Sequence, residues 1–208
     1  KAKHALTFPS GTTALHASIK SLKVKGEIIT TPFTWIATIS AIKLENCDPV
    51  FCDIDKETFN LDASKLESHI TSNTKAILPV HVFGNPCDVN EIELIAKKYN
   101  IPVIYDAAHS VGSKVGQTSV LNFGDASAVS FHATKIFHTV EGGALVLKDT
   151  DMFEKAKSLI NFGYDHTSMP RDIVDYLQET TQIEMVYAEE LTRGKGTKFA
   201  KVKKEFDD

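Results

Sequence analysis

Short apolar runs alternate with amphipathic stretches of helix length along most of the chain, from Ala5 to about Leu159. This alternation is typical of βαβ units, because each apolar run can form a buried strand and each amphipathic stretch a helix that covers it. We therefore predict an α/β fold with a mainly parallel sheet flanked by helices. The predicted strands are residues 5–8, 27–30, 49–53, 76–82, 102–106, 126–131 and 143–147.

Helices are predicted between these strands, and a polar residue that can cap the helix precedes or opens each one. The predicted helices are residues 12–22, 34–45, 63–69, 89–99 and 151–161. The corresponding caps are Ser10, Thr34, Asp62, Asp88 and Thr150. After Tyr164 the pattern changes to a loop and a mixed-charge tail, so we predict a domain at 1–164 and a helical or irregular segment at 165–208.

Composition narrows the class of protein. A chain of 208 residues can bury one substantial core, and its net charge of -4 gives no electrostatic reason to expect nucleic acid or an anionic membrane as a partner. No apolar run reaches the 18 residues typical of a membrane span. Cys47, Cys52 and Cys87 form no CxxC pair and no zinc-ligand spacing, which favours a reducing compartment, hence the cytoplasm, and no metal site.

Asp106 ends one predicted strand, and Lys135 follows another. Asp106 ends the run Val103-Ile104-Tyr105-Asp106, and Lys135 follows the almost uncharged residues 126–134. An aldehyde cofactor with a pyridine ring needs such a pair, because the lysine amine can form a Schiff base and the carboxylate can keep the ring nitrogen protonated. The alternative reading of Lys135 is an ordinary surface cation.

Two segments can bind the phosphate of such a cofactor. Ser10-Gly11-Thr12 follows the first strand and opens a helix, so it presents free backbone N–H groups, and Ser130 lies five residues before Lys135. The alternative for Gly11 and Thr12 is a simple capped helix start. An isolated strand serine such as Ser130 would mean little alone.

An aromatic and a histidine complete the candidate site. Trp35, the only tryptophan, lies just beyond a strand and can stack on a planar ring; the alternative is a packing role in the core. His109 follows Asp106 by three residues and can contact either that carboxylate or the cofactor's phenolic oxygen. The alternative for His109 is a structural histidine bonded to backbone.

Together these segments resemble the DegT/DnrJ/EryC1/StrS family of sugar-nucleotide aminotransferases. The matching pieces occur in family order from about residue 4 to Gly163: SGTTAL at 10–15, TPFTWIAT at 31–38, PVFCDID at 49–55, TKAILPVH at 74–81, DAAH at 106–109, SFHATK at 130–135 and EGG at 141–143. The resemblance implies the large, pyridoxal-phosphate-binding domain of the type I aminotransferase fold.

The resemblance also implies roles for the site residues. Lys135 would carry pyridoxal phosphate, Asp106 would bind its pyridinium nitrogen, and Trp35 would stack on its ring. Gly11, Thr12 and Ser130 would bind the phosphate. His109 occupies a position where many members have Gln, which contacts the phenolic oxygen.

The family's substrates are nucleotide-linked keto-sugars, with glutamate as the usual amino donor. Members with Glu-Gly-Gly after the lysine, as at residues 141–143, resemble the branch that aminates sugar C4. The resemblance therefore implies amination of a 4-keto-6-deoxysugar, for surface polysaccharide or antibiotic sugars. Amination at C3 is the alternative within the family.

Family members are longer than this chain. They have a segment before the first strand and a small C-terminal domain, and we recognise neither of them here. Their active sites lie at a homodimer interface. The rival expectation is therefore a truncated or non-catalytic relative that uses the pocket for binding or regulation.

Overall fold

The computed structural model describes residues 4–160, so the predicted segment at 165–208 lies outside the described residues. Strands and helices alternate along the described chain. The strands are β1 (His4–Phe8), β2 (Glu27–Thr30), β3 (Asp48–Phe51), β4 (Thr74–Ile77), β5 (Ile104–Asp106), β6 (Lys114–Val115), β7 (Thr118–Ser119), β8 (Ala126–Ser130) and β9 (Gly143–Leu147). The α-helices are α1 (Gly11–Leu22), α2 (Ile36–Leu44), α3 (Ala63–Leu66), α4 (Val89–Tyr99) and α5 (Thr150–Ile160).

The main strands pair in the order β3-β2-β4 and β1-β9-β8-β5. Parallel bridges Ile77↔Val103 and Val80↔Asp106 join β4 to β5, so the two groups form one layer. Within this layer β2 pairs in parallel with β3 and β4, and β5 with β8. β9 alone among these described strands runs against its neighbours, β1 and β8. The α/β fold with a mainly parallel sheet is confirmed.

Buried side chains alternate between the two faces of this sheet. Ile28 and Ile104 face one core, which they share with α1, α2 and α5. The next residues along the same strands, Ile29 and Tyr105, face a second core with α3 and α4. A parallel sheet covered by helices on both faces buries both sides of its strands, which explains the continuous apolar runs of the sequence.

Strand and helix ends differ from the predictions at a few positions. The strand predicted at 76–82 ends at Ile77, because Pro79 has no N–H to donate and a 3₁₀ helix begins at Val82. The helix predicted at 63–69 is a short α3 followed by a 3₁₀ turn at Glu67–His69. A small antiparallel hairpin, β6–β7, was not predicted.

Three of the five predicted caps are confirmed. The side chains of Ser10, Asp62 and Asp88 accept hydrogen bonds from the first turns of their helices. The prediction for Thr34 is wrong, because α2 starts after Trp35 without a side-chain cap.

The cap predicted at Thr150 is also wrong. Thr150 is the first residue of α5, and the carboxylate of Asp149 accepts the hydrogen bond from the Met152 N–H at 2.8 Å instead. None of the helices described between residues 4 and 160 is long and apolar enough to cross a membrane.

Candidate active site

The site residues come together at one edge of the sheet, where the parallel strands end. β5 ends at Asp106 and the neighbouring β8 ends at Ser130, with Asp106 in register with Ala128. Ligands of open α/β sheets bind at this carboxyl edge. The topology therefore places the ends of both strands where the sequence predicts a cofactor.

Asp106 is a buried carboxylate, with 5% of its surface exposed. Its Oδ2 accepts a hydrogen bond from the Thr38 hydroxyl at 2.7 Å, and its Oδ1 accepts one from the Ala108 N–H at 3.1 Å. Burial raises the pKa of Asp106, and these two donors and the nearby charges of His109 and Lys135 oppose that rise. The carboxylate is thus desolvated and keeps free acceptor positions, since it has about four and two are used.

Lys135 is half-buried and lies in the loop between β8 and β9. Backbone bonds from Phe131 N–H to the Gly142 carbonyl, 2.8 Å, and from Thr139 N–H to the Phe131 carbonyl, 2.9 Å, close the base of this loop. The Lys135 N–H itself donates to the His132 carbonyl. The charge of Lys135 opposes the burial-driven rise in the pKa of Asp106 and contributes to the lowered pKa of His109.

The start of α1 packs directly on the end of β8. An added Cβ at Gly11 would lie 2.7 Å from the Ser130 Cβ, so only glycine allows this approach. Because Gly11 and Thr12 open the helix, their N–H groups have no acceptor within it and carry the positive end of the helix dipole. Ser130 Oγ accepts from the His132 N–H at 3.3 Å and keeps its own proton to donate.

Two glycines of the Glu-Gly-Gly turn support this contact. Gly142 forms a parallel bridge with Ser10, and an added Cβ at Gly143 would lie 2.4 Å from the Ser10 carbonyl oxygen. The turn that follows the Lys135 loop therefore fits tightly beneath the start of α1. Gly11 and Ser130 are in direct contact, and Thr12 is the next residue of the same helix start.

Trp35 and His109 lie at the margin of the site. Trp35 is 77% exposed. Its backbone carbonyl accepts a hydrogen bond from the N–H of Thr38, the residue whose hydroxyl binds Asp106. His109 is exposed, and its ring stacks near Phe83 at 6.3 Å between centroids. Partial desolvation of its ring, followed by the Lys135 charge, lowers the pKa of His109.

The three cysteines are free and buried, and no cluster of potential metal ligands occurs among residues 4–160. Burial raises the pKa of Cys52 to about 11. Burial raises the pKa of Cys87 as well, so these two thiols are protonated near neutral pH, and all three cysteines are buried in the manner of small apolar side chains.

The sequence model of the DegT/DnrJ/EryC1/StrS aminotransferase family matches residues 1–184. This chain belongs to that family. It is 51% identical over 163 residues to a dTDP-4-amino-4,6-dideoxy-D-glucose transaminase of Shigella dysenteriae, in an alignment that covers 78% of this chain and 44% of that protein. The chain thus spans less than half the length of this relative.

Solved structures also resemble the described fold. The aminotransferase from Psychrobacter cryohalolentis matches with a TM-score of 0.78 at 33% identity, covering 82% of this chain and 44% of that one. NtdA from Bacillus subtilis, solved with bound PMP, matches with a TM-score of 0.75 at 28% identity, covering 81% and 39%. The type I aminotransferase fold is confirmed for this large-domain region.

Pyridoxal phosphate is the cofactor of this family. The geometry fits that molecule in three respects: a buried carboxylate with free acceptor positions, a lysine whose charge reaches it, and a glycine-based helix start packed on a serine. Sequence reasoning named all of these groups. It missed Thr38, whose contact with Asp106 no local pattern indicates.

Proposed function

We propose that the whole protein is a pyridoxal-phosphate-dependent transaminase that moves an amino group from glutamate to the 4-keto carbon of a dTDP-linked 4-keto-6-deoxysugar. The observation that carries this proposal is the buried Asp106 carboxylate within electrostatic reach of Lys135 at the carboxyl edge of the sheet. The dTDP-4-amino-4,6-dideoxy-D-glucose transaminase of Shigella dysenteriae, 51% identical, supports this substrate class.

Asp106 and Lys135 divide the chemistry. The cofactor, when bound, supplies a ring that withdraws electrons from the reacting carbon. Asp106 accepts a hydrogen bond from the protonated ring nitrogen and keeps the positive charge there. The Lys135 amine would act as the base that takes the proton from the substrate carbon and, once protonated, as the acid that gives that proton back to complete the shift.

The remaining residues bind and orient. The N–H groups of Gly11 and Thr12 and the Ser130 hydroxyl hold the phosphate at the positive end of α1. Trp35 covers one face of the ring, and His109 donates to the phenolic oxygen. This donor role suits a histidine that is neutral near pH 7, since its pKa is lowered.

The proposal also covers what encloses the site and where the protein acts. A second copy of the protein and a small C-terminal domain cover the site, which is consistent with the 77% exposure of Trp35 and the exposure of Phe83. The protein acts in the cytoplasm, where its three free cysteines remain reduced.

Isotope transfer tests the proposal. The purified protein, loaded with pyridoxal phosphate and given ¹⁵N-glutamate with dTDP-4-keto-6-deoxyglucose, is expected to yield a ¹⁵N-labelled aminosugar by mass spectrometry, with none from Lys135→Ala. If ¹⁵N were transferred only to a 3-keto isomer of the sugar, the enzyme would be a C3 and not a C4 aminotransferase. Tight cofactor binding without transfer to either sugar would favour a non-catalytic binding protein.

A further inference from the structure

Thr38 connects α2 to the buried carboxylate of Asp106. Its side chain is fully buried, and its hydroxyl donates to Asp106 Oδ2 across 2.7 Å. A second hydroxyl, that of Thr34, lies 2.7 Å from the Thr38 hydroxyl. Thr34 lies just before α2 and Thr38 lies in its first turn, four residues later, so the two side chains are neighbours on one side of the helix start.

The direction of this chain of hydrogen bonds follows from proton counting. A hydroxyl has one proton to donate, and Thr38 gives it to Asp106. The Thr38 oxygen is then the acceptor in its contact with Thr34, so Thr34 donates. The order Thr34 to Thr38 to Asp106 suits an ionised carboxylate at its end, because every proton points toward the negative charge.

Two neutral donors thus stabilise the charged form of Asp106. The Thr38 hydroxyl binds Oδ2 and the Ala108 N–H binds Oδ1, and both lower a pKa that burial raises. The cationic neighbours are Lys135 and, when protonated, His109, whose own pKa is lowered. The hydroxyl and the amide act whatever the charge on those two side chains.

We propose that Thr38, supported by Thr34, is a positioning residue that fixes the rotation of the Asp106 carboxylate and stabilises its charge, leaving its free lone pairs aimed at the cofactor nitrogen. The identity of that partner rests on the proposed function. The effect of Thr38 on Asp106 exists in the protein without cofactor and is measurable there.

The first test is an NMR titration of the Asp106 carboxyl carbon in cofactor-free protein, assigned by loss of the signal in Asp106→Asn. Thr38→Val removes the hydroxyl at nearly constant shape, and we expect its titration midpoint to rise by about one pH unit, the size expected for a lost hydrogen bond to an ionised group. Thr38→Ser keeps the hydroxyl and should titrate like wild type. Thr34→Val should shift the midpoint the same way by less.

Thr30→Val is the matched control. Thr30 is also fully buried, but its hydroxyl donates to the Leu78 carbonyl at 2.7 Å, so its loss should not move the Asp106 midpoint. If Thr38→Val does not fold, Thr34→Val carries the test, because Thr34 is only half-buried. The proposal would be overturned if the Asp106 midpoint were unchanged in every folded variant that lacks the Thr38 or the Thr34 hydroxyl.

Cofactor affinity is the second test. At pH values below the raised Asp106 midpoint of Thr38→Val, this variant should bind pyridoxal phosphate about tenfold more weakly than wild type. Thr38→Ser and Thr30→Val should bind it like wild type. Equal affinities for Thr38→Val and wild type across the titration would contradict the cofactor part of the inference. Failure of wild type to bind the cofactor would instead defeat the proposed function, and the NMR result would still decide the role of Thr38.

Discussion

At the scale of single residues, Gly11 holds the start of α1 against β8. An added Cβ there would lie 2.7 Å from the Ser130 Cβ and 3.1 Å from its Cα, a backbone atom that cannot easily move. We expect Gly11→Ala to lower the free energy of unfolding by about 1 to 3 kcal/mol through overpacking, although alanine is the better helix former. Urea denaturation of the cofactor-free protein measures this change.

Ser130→Gly serves as the relief variant for this prediction. It removes the nearer of the two clashing atoms, so the loss in Gly11→Ala/Ser130→Gly should be smaller than the sum of the two single losses. Additive losses, or a Gly11→Ala variant as stable as wild type, would show that the two elements do not meet as described.

The residues of the site differ in how far the sequence could predict them. Asp106 ends one predicted strand and Lys135 follows another, and parallel strands bring their ends to one edge, so the proximity of the two residues follows from the order of elements. The hydrogen bond from Thr38 to Asp106 joins residues 68 positions apart in the chain. It forms only because α2 begins at a particular angle to the sheet, and that angle depends on packing. That angle is not encoded in a local pattern, and the contact could not be predicted.

At the scale of elements, α4 is a helix whose first and last residues are set by its own capping residues. The Asp88 side chain accepts from the Glu91 N–H at 3.1 Å, and Asn100 closes the helix in the left-handed conformation. We expect Asp88→Ala to destabilise the protein by about 1 kcal/mol, because the first turn loses its acceptor. Denaturant unfolding measures it. Asn90→Ala, in the same turn and exposed, is the control and should change stability by less.

Elsewhere the ends of elements depend on neighbours. Thr34 was predicted to cap α2, but its hydroxyl lies against Thr38 and the helix begins two residues later. Asp149 rather than Thr150 caps α5, because a carboxylate one residue earlier reaches the first-turn N–H groups. Both contacts are local, so at two of the five predicted helix starts the exact start depends on which of several neighbouring residues takes the capping position.

At the scale of the whole molecule, a buried histidine couples stability to pH. His81 is fully buried beneath Tyr105, with ring centroids 4.6 Å apart, and its Nδ1 accepts from the Cys87 N–H at 3.0 Å. Burial lowers the pKa of His81 to about 4 from 6.5. Between these values the unfolded chain binds more protons than the folded one, so acidification favours unfolding.

We therefore expect His81 to contribute a loss of a few kcal/mol in the free energy of unfolding as the pH falls from 6.5 to 4. His81→Asn keeps an acceptor for the Cys87 N–H but cannot titrate, and should flatten the curve over this range. Denaturant titrations at several pH values measure it, with exposed His138→Asn as control. A slope that survives in His81→Asn would assign the pH dependence to other groups.

The central claim is that Lys135 carries pyridoxal phosphate beside Asp106, and reductive trapping tests it most directly. The protein is loaded with pyridoxal phosphate, reduced with borohydride, digested and sequenced by mass spectrometry, with Lys148→Ala, a lysine beyond the other end of β9, as the control variant. The account predicts one phosphopyridoxyl group on Lys135 in wild type and in Lys148→Ala, and none in Lys135→Ala. An adduct on another lysine, or none at saturating cofactor, would contradict it.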